Sequence, residues 1–266
     1  MKVIDTHAHI FPDKIADKAV ESISEFYSTP MCHKGSADAL IESGKKIGVE
    51  KYLVFSTATK PQQVESINNF ILEQVGLHKE FIGLGTMFKG YEQFADELDR
   101  LKKAGIHGIK LHPDFQKFDF NDEELYPVYD TLTQLNMFIL THAGDFRYGF
   151  SHPDKIADIA HKFPKLNIIG AHFGGWSQWD IAREVLNLPN LYFDTSSTMG
   201  FQGLEQAKKG FETFDNTHIF FATDFPMWDH KDELKNIMDL HLSDSTTENV
   251  LYNNFVNFYK QYTDQI

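Results

Sequence analysis

Val3-Ile4-Asp5-Thr6-His7-Ala8-His9-Ile10 opens the chain. Val3 and Ile4 read as the start of a short buried strand. Residues two apart on a strand face the same way, so His7 and His9 project together. Imidazole nitrogens about 2.0–2.1 Å from one ion suit Zn²⁺. The pair carries little weight alone, because 13 histidines in 266 residues make one chance His-x-His unremarkable. A partly buried histidine pair is the plainer reading. What decides between the two is the rest of the chain.

Downstream, short apolar runs alternate with amphipathic stretches. The runs are 51–57 (KYLVFST), 81–87 (FIGLGTM), 108–112 (GIKLH), 137–142 (MFILTH), 166–172 (LNIIGAH), 191–196 (LYFDTS) and 218–224 (HIFFATD). Helices are expected over 13–27, 36–47, 61–79, 91–103, 122–135, 152–163, 177–186, 203–213, 230–241 and 246–262. With 3–9 this gives eight strands, apolar on both faces as in a buried parallel sheet. Eight β/α units in this length fit an α/β fold of the (β/α)₈ TIM-barrel type. A doubly wound open sheet is disfavoured, because no Gly-x-Gly-x-x-Gly turn follows a strand. The whole of 1–266 reads as one barrel domain. The long excursion at 11–35 reads as a lid.

Composition narrows the class. A net charge of −13 disfavours nucleic acid and anionic membrane surfaces as partners. The single cysteine, Cys32, permits no intrachain disulfide. With no signal segment and no apolar run near the ~20 residues of a membrane span, the expectation is a cytoplasmic enzyme. Its expected partner is a small-molecule substrate, and a homodimer is compatible with the sequence.

Polar residues gather at the C-terminal ends of the expected strands, where TIM barrels build their sites. They are His7 and His9, Lys110 and His112, His142, His172 and Asp224. Each has an ordinary reading, such as a helix cap for His142 or His172 or a turn aspartate for Asp224. Together they would bury several unpaired polar groups, and one divalent metal would account for all of them. The N/O donor set suits Zn²⁺, with Fe²⁺, Mn²⁺ or Co²⁺ as substitutes.

The ordered segments Asp-Thr-His-Ala-His, Gly-Ile-Lys-Leu-His-Pro, Thr-His-Ala-Gly, Gly-Ala-His-Phe-Gly-Gly and Ala-Thr-Asp-Phe-Pro resemble the amidohydrolase superfamily. The branch they resemble most is the amidohydrolase-related one (family 2), which also contains aminocarboxymuconate-semialdehyde-type and hydroxybenzoate-type decarboxylases. The resemblance runs from residue 3 to about 226. It implies that His7, His9, His142 and Asp224 are metal ligands and that His172 is a ligand or a catalytic histidine. TatD-type nucleases share the His-x-His and the final Asp but carry a Glu on the fourth strand, where this chain has Gly-Ile-Lys-Leu-His.

Lys110 has three readings: a carboxylated bridge between two metals, an ammonium for a substrate carboxylate, or a buried lysine stem. Lys110 and His112 share a strand face, and His112 is a candidate substrate contact. Arg147 is another, through a bidentate carboxylate pair, or else a surface salt bridge. Trp176, Trp179, Phe225 and Trp228 would form an aromatic wall or pack loop to barrel. The expected chemistry is hydrolysis of an amide, lactone or other carbonyl bond by a metal-activated water. Asp224 would serve as base and His172 as oxyanion or orienting group. One or two Zn²⁺ ions are expected. Metal-dependent non-oxidative decarboxylation of an aromatic or unsaturated acid is the alternative, and an idle barrel that only binds is a third reading.

Overall fold

The computed structural model describes residues 1–264. Nine strand segments follow in order: β1 Val3–His9, β2 Val49–Phe55, β3 Phe81–Gly83, β4 Gly85–Thr86, β5 Gly108–Leu111, β6 Phe138–Thr141, β7 Ile168–Gly170, β8 Leu191–Asp194 and β9 Ile219–Phe220. All the strand pairings are parallel. They form two sheets, β1-β2-β3 and β4 to β9 in sequential order. β3 and β4 are halves of one stave, interrupted at Leu84, whose N–H still bonds Val54 O at 2.9 Å. At the other edge Thr6 N–H donates to Phe221 O (3.1 Å) and His9 N–H to Phe225 O (2.8 Å). Ala8 also bridges Phe225 in parallel. The last stave therefore lies beside the first, and the protein has the eight-stave TIM-barrel fold.

The helices are α1 Asp13–Tyr27, α2 Ala37–Lys45, α3 Val64–Leu77, α4 Phe94–Lys103, α5 Pro113–Gln116, α6 Tyr126–Gln134, α7 Pro153–Lys162, α8 Trp179–Val185, α9 Thr198–Gln202, α10 Leu204–Thr213, α11 His230–Asp239, α12 Asp244–Glu248 and α13 Asn254–Tyr259. The short α5 and α9 are absent from the sequence expectation. The helix expected over 246–262 is divided by a π-helical turn at Asn249–Asn253. Among the described residues no helix is long and apolar enough to cross a membrane.

Alternation along the strands makes two cores. Ile4, Leu53, Phe55, Ile82, Leu140, Ile169, Tyr192 and Phe220 cluster inside the ring with Phe255, Phe258 and Tyr259. The last three belong to α13, which closes the N-terminal end of the barrel. Val3, Ile109, Ile139, Ile168, Leu191, Phe193, Ile219 and Phe221 point outward, against the helices. Apolar residues on both faces give the continuous hydrophobic runs of the sequence. Each fully buried side chain of this size stabilises by roughly 1.5–3 kcal/mol.

The staves after β1 all end earlier than the sequence suggests, and two of these endings shape the site. β7 stops at Gly170 and β9 at Phe220, ahead of His172 and Asp224. Both residues adopt left-handed backbone, with φ of 59° each. Non-glycine residues hold that conformation only where the surroundings fix it. Here it takes the two side chains out of the ladder at the barrel mouth.

Candidate metal centre

The barrel's own parity places the site. On β5, Ile109 and Leu111 face the helices, so Lys110 and His112 alternate to the inner side. On β6 the inward series is Phe138, Leu140 and then His142. β1 needs an extra step, because its inward residue near the base is Ile4. The pairing with β2 slips between Asp5 and Ala8: Asp5 pairs with Tyr52 and Ala8 with Val54. The additional residue is a β-bulge, and it reverses the parity. It lets Ile4, His7 and His9 all serve the interior.

Above this layer a small pocket is lined by His7, His9, Ile23, Tyr27, Met31, Lys110, His112, Phe115, His142, His172, Asp224, Pro226 and Met227. It has room for about one water molecule. Asp224 Oδ1 lies 3.3 Å from His7 Nε2 and 3.4 Å from His9 Nε2. His7 Nδ1 bonds Asp194 Oδ2 at 2.8 Å. With Nδ1–H donating there, Nε2 offers its lone pair toward Asp224 and His9. Ser196 Oγ also bonds Asp194, and His172 N–H donates to the same carboxylate at 3.0 Å. Ser197 Oγ–H donates to Asp224 Oδ2 at 2.6 Å.

Lys110 is fully buried, its Nζ 3.2 Å from His7 Nε2 and 4.8 Å from the Phe55 ring centre. Burial outweighs the Asp194 and Asp224 charges and brings its ammonium down to about 7. Burial also holds His9 and His172 at about 4, and His112 and His142 well below the usual imidazole range. Against burial, His7, His9 and His172 keep the Asp224 carboxyl well below the ordinary carboxylate range. Near neutral pH, His9, His112, His142 and His172 are therefore offered as neutral imidazoles and Asp224 as an ionised carboxylate. That is the protonation state metal binding requires.

Three of the four expected ligands, His7, His9 and Asp224, bring their donor atoms together. His142 stands beside them. Its Nδ1 meets His172 Nε2 at 3.1 Å, and its Nε2 faces Asp114 Oδ2 at 3.9 Å. His142 Nε2 and Asp114 Oδ1 are buried with no hydrogen-bond partner. The converging donor atoms of His7, His9 and Asp224 fit a divalent cation, while His142, with its unpaired Nε2, groups with Asp114 and Asp145 beside them.

The rim differs from the sequence expectation. Arg147 does not line the pocket. Its Nε and Nη2 donate to the two Asp145 oxygens at 3.0 and 2.7 Å, and its Nη1 donates to Phe26 O at 2.6 Å. With Asp145 buried and only two residues before it in the same loop, the guanidinium is committed before any substrate carboxylate arrives. Trp176 also stands one layer back, its ring centre 5.2 Å from Tyr27 and 5.4 Å from Phe201. Trp228 Nε1–H donates to Ser197 Oγ (2.9 Å) and Trp179 Nε1–H to His172 O (3.0 Å). Phe225 is fully buried and stacks on His33. The aromatic wall is thus mainly packing, and the rings that line the pocket are Tyr27 and Phe115. His112 does line it, stacked on His142 with ring centres 4.1 Å apart.

Sequence reasoning missed Asp194 and Tyr27. Asp194 ends its strand in Phe-Asp-Thr, the signal that singled out Asp224. Tyr27 gives no such sign, being one aromatic in a helical stripe.

A TIM barrel with a histidine–aspartate cluster at its C-terminal mouth is a frame suited to a metal-dependent enzyme. The chain belongs to amidohydrolase family 2, whose profile matches residues 4–260. Solved structures share the fold at low identity. An uncharacterised TIM-barrel protein from Bordetella bronchiseptica has a TM-score of 0.78 at 16% identity, over 98% of this chain and 99% of that one. A protein named as a 2-pyrone-4,6-dicarboxylic acid hydrolase, from Pseudomonas putida, has 0.69 at 14% identity, over 97% of both chains. A dihydroxybenzoic acid decarboxylase from Polaromonas sp. JS666, with bound manganese and 2-nitroresorcinol, has 0.73 at 16% identity, over 97% of both.

Proposed function

We propose that this protein is a metal-dependent hydrolase acting on an amide, lactone or other carbonyl bond of a small molecule. The observation that carries the reading is Asp224, whose Oδ1 lies between the Nε2 atoms of His7 and His9. It is an ionised carboxylate at the point where the donor atoms meet. A divalent cation there, with Zn²⁺ our first choice, would supply Lewis-acid polarisation and lower the pKa of water enough for it to serve as a nucleophile near neutral pH. His7, His9 and Asp224 would hold it, with His142 alongside. Asp224 takes the proton from the attacking water and returns it to the leaving group. His172, turned into the mouth by its left-handed backbone, would orient the substrate oxygen through Nε2 once that atom exchanges its bond with His142 Nδ1. Lys110 lies against His7 within the donor cluster, where its carbamate would add a ligand and admit a second ion.

Decarboxylation of an aromatic or unsaturated acid is the second reading. It draws on Lys110 as a buried cation able to hold a carboxylate, and on the fold shared with the Polaromonas decarboxylase. It loses the support Arg147 was expected to give, since that guanidinium is held by Asp145. The deciding assay offers lactones, amides and hydroxybenzoates in ¹⁸O-labelled water. Label in the carboxyl product supports hydrolysis. Release of CO₂, with solvent deuterium entering at carbon, establishes the second reading instead.

A further inference from the structure

Tyr27 is the last residue of α1, and its hydroxyl lies 2.9 Å from His112 Nε2. The direction of that hydrogen bond follows from the other ring nitrogen. His112 Nδ1 accepts the N–H of Phe115 at 3.3 Å, as the cap of α5. A neutral imidazole with an accepting Nδ1 carries its proton on Nε2. His112 therefore donates to the Tyr27 oxygen, and the Tyr27 proton is left for another acceptor. No second hydrogen bond engages that hydroxyl among the described residues, and Tyr27 lines the pocket with His9, Lys110 and Asp224.

The placement is built rather than incidental. His112 stacks on His142 within 7° of parallel. The Arg147 guanidinium lies 5.3 Å from the Tyr27 ring centre and 4.9 Å from that of Trp176. Its bond to Phe26 O ties down the residue just before Tyr27. A cation so placed over aromatic faces adds attraction to the hydrogen bonds.

We propose that Tyr27 is a catalytic residue of the proposed reaction, its O–H donating to a carbonyl or carboxylate oxygen of the substrate, and that His112 is the positioning residue that turns the proton into the pocket. The inference rests on the pocket being the reaction site. A donor aimed at a developing oxyanion contributes roughly 10²–10³ in kcat.

The test compares wild type with Tyr27→Phe, His112→Ala and His112→Gln, each loaded with Zn²⁺. Benzoate binding is measured by calorimetry, and turnover is measured on the substrate found in the labelled-water assay. Tyr27→Phe should keep metal content and Tm, weaken benzoate at least about tenfold, and lower kcat by the range a single oxyanion donor contributes. His112→Ala should do much the same, and His112→Gln, which retains an N–H, should recover part of the loss. Tyr27→Phe with wild-type benzoate affinity and kcat overturns the inference while leaving the proposed function intact. Wild type that takes up no metal and turns over nothing counts against the proposed function itself.

Discussion

His7 shows how one residue of the cluster is set. Asp194 binds Nδ1, and Nε2 is left facing Asp224 and Lys110. Asp194→Asn should therefore weaken Zn²⁺ binding by about 10–100-fold, read by competition with a chromogenic chelator, because an amide no longer fixes the tautomer. Unchanged affinity would show that the tautomer is set elsewhere. Asp224→Asn keeps the size of the side chain and removes the base. At saturating metal its kcat should fall by roughly 10²–10⁴, and a near-normal value would mean that another group takes the proton.

Elements decide how these residues meet. The loops after β6 and β7 touch through backbone at Gly144 and Gly175. Gly144 has φ of 82°, and a Cβ there would stand 2.4 Å from Gly175 Cα. Gly144→Ala is therefore disfavoured twice, by conformation and by contact. It should destabilise by at least about 1–3 kcal/mol, visible as a lower midpoint in urea. A smaller loss would show that the two loops separate easily. Arg147 ties the end of α1 to the β6 loop. Arg147→Met keeps much of the stem and loses the bonds to Asp145 and Phe26. The expected result is faster proteolytic cleavage within 11–35 while the barrel persists; unchanged cleavage would remove Arg147 as the latch of that segment.

At the scale of the whole molecule, stability follows buried ionisable groups. Glu233, on α11, is 1% exposed, its Oε2 has no hydrogen-bond partner, and burial pushes its carboxyl up to about 8. Between about 4.5, its ordinary value, and 8, the folded state holds a proton that the unfolded state releases. Stability from this group is therefore full below that window and is lost as pH rises through it. Glu233→Gln, which mimics the protonated form, should match wild type near pH 5. It should exceed wild type by about 1–3 kcal/mol near pH 8.5, the penalty of an unsatisfied buried group. Thermal unfolding of both proteins across that range is the measurement, and parallel curves would refute the assignment.

The sequence by itself determined the eight-stave plan, because apolar runs alternating with amphipathic stretches are a local, one-dimensional pattern. It also determined which polar residues stand near the strand ends, since His7, His9, Lys110, His112, His142, His172 and Asp224 all line one pocket. Only the tertiary structure decided which of them meet. The Asp5–Ala8 slip that turns both histidines inward depends on pairing with β2. The left-handed turns at His172 and Asp224 are non-glycine conformations that local propensity argues against. Arg147 lost its expected role to Asp145, which is only two residues away and paired with it by the fold of one loop. Tyr27 entered the pocket because α1 ends over the barrel mouth. Its bond to His112 spans 85 residues, a contact set by packing between distant elements, which no local pattern encodes.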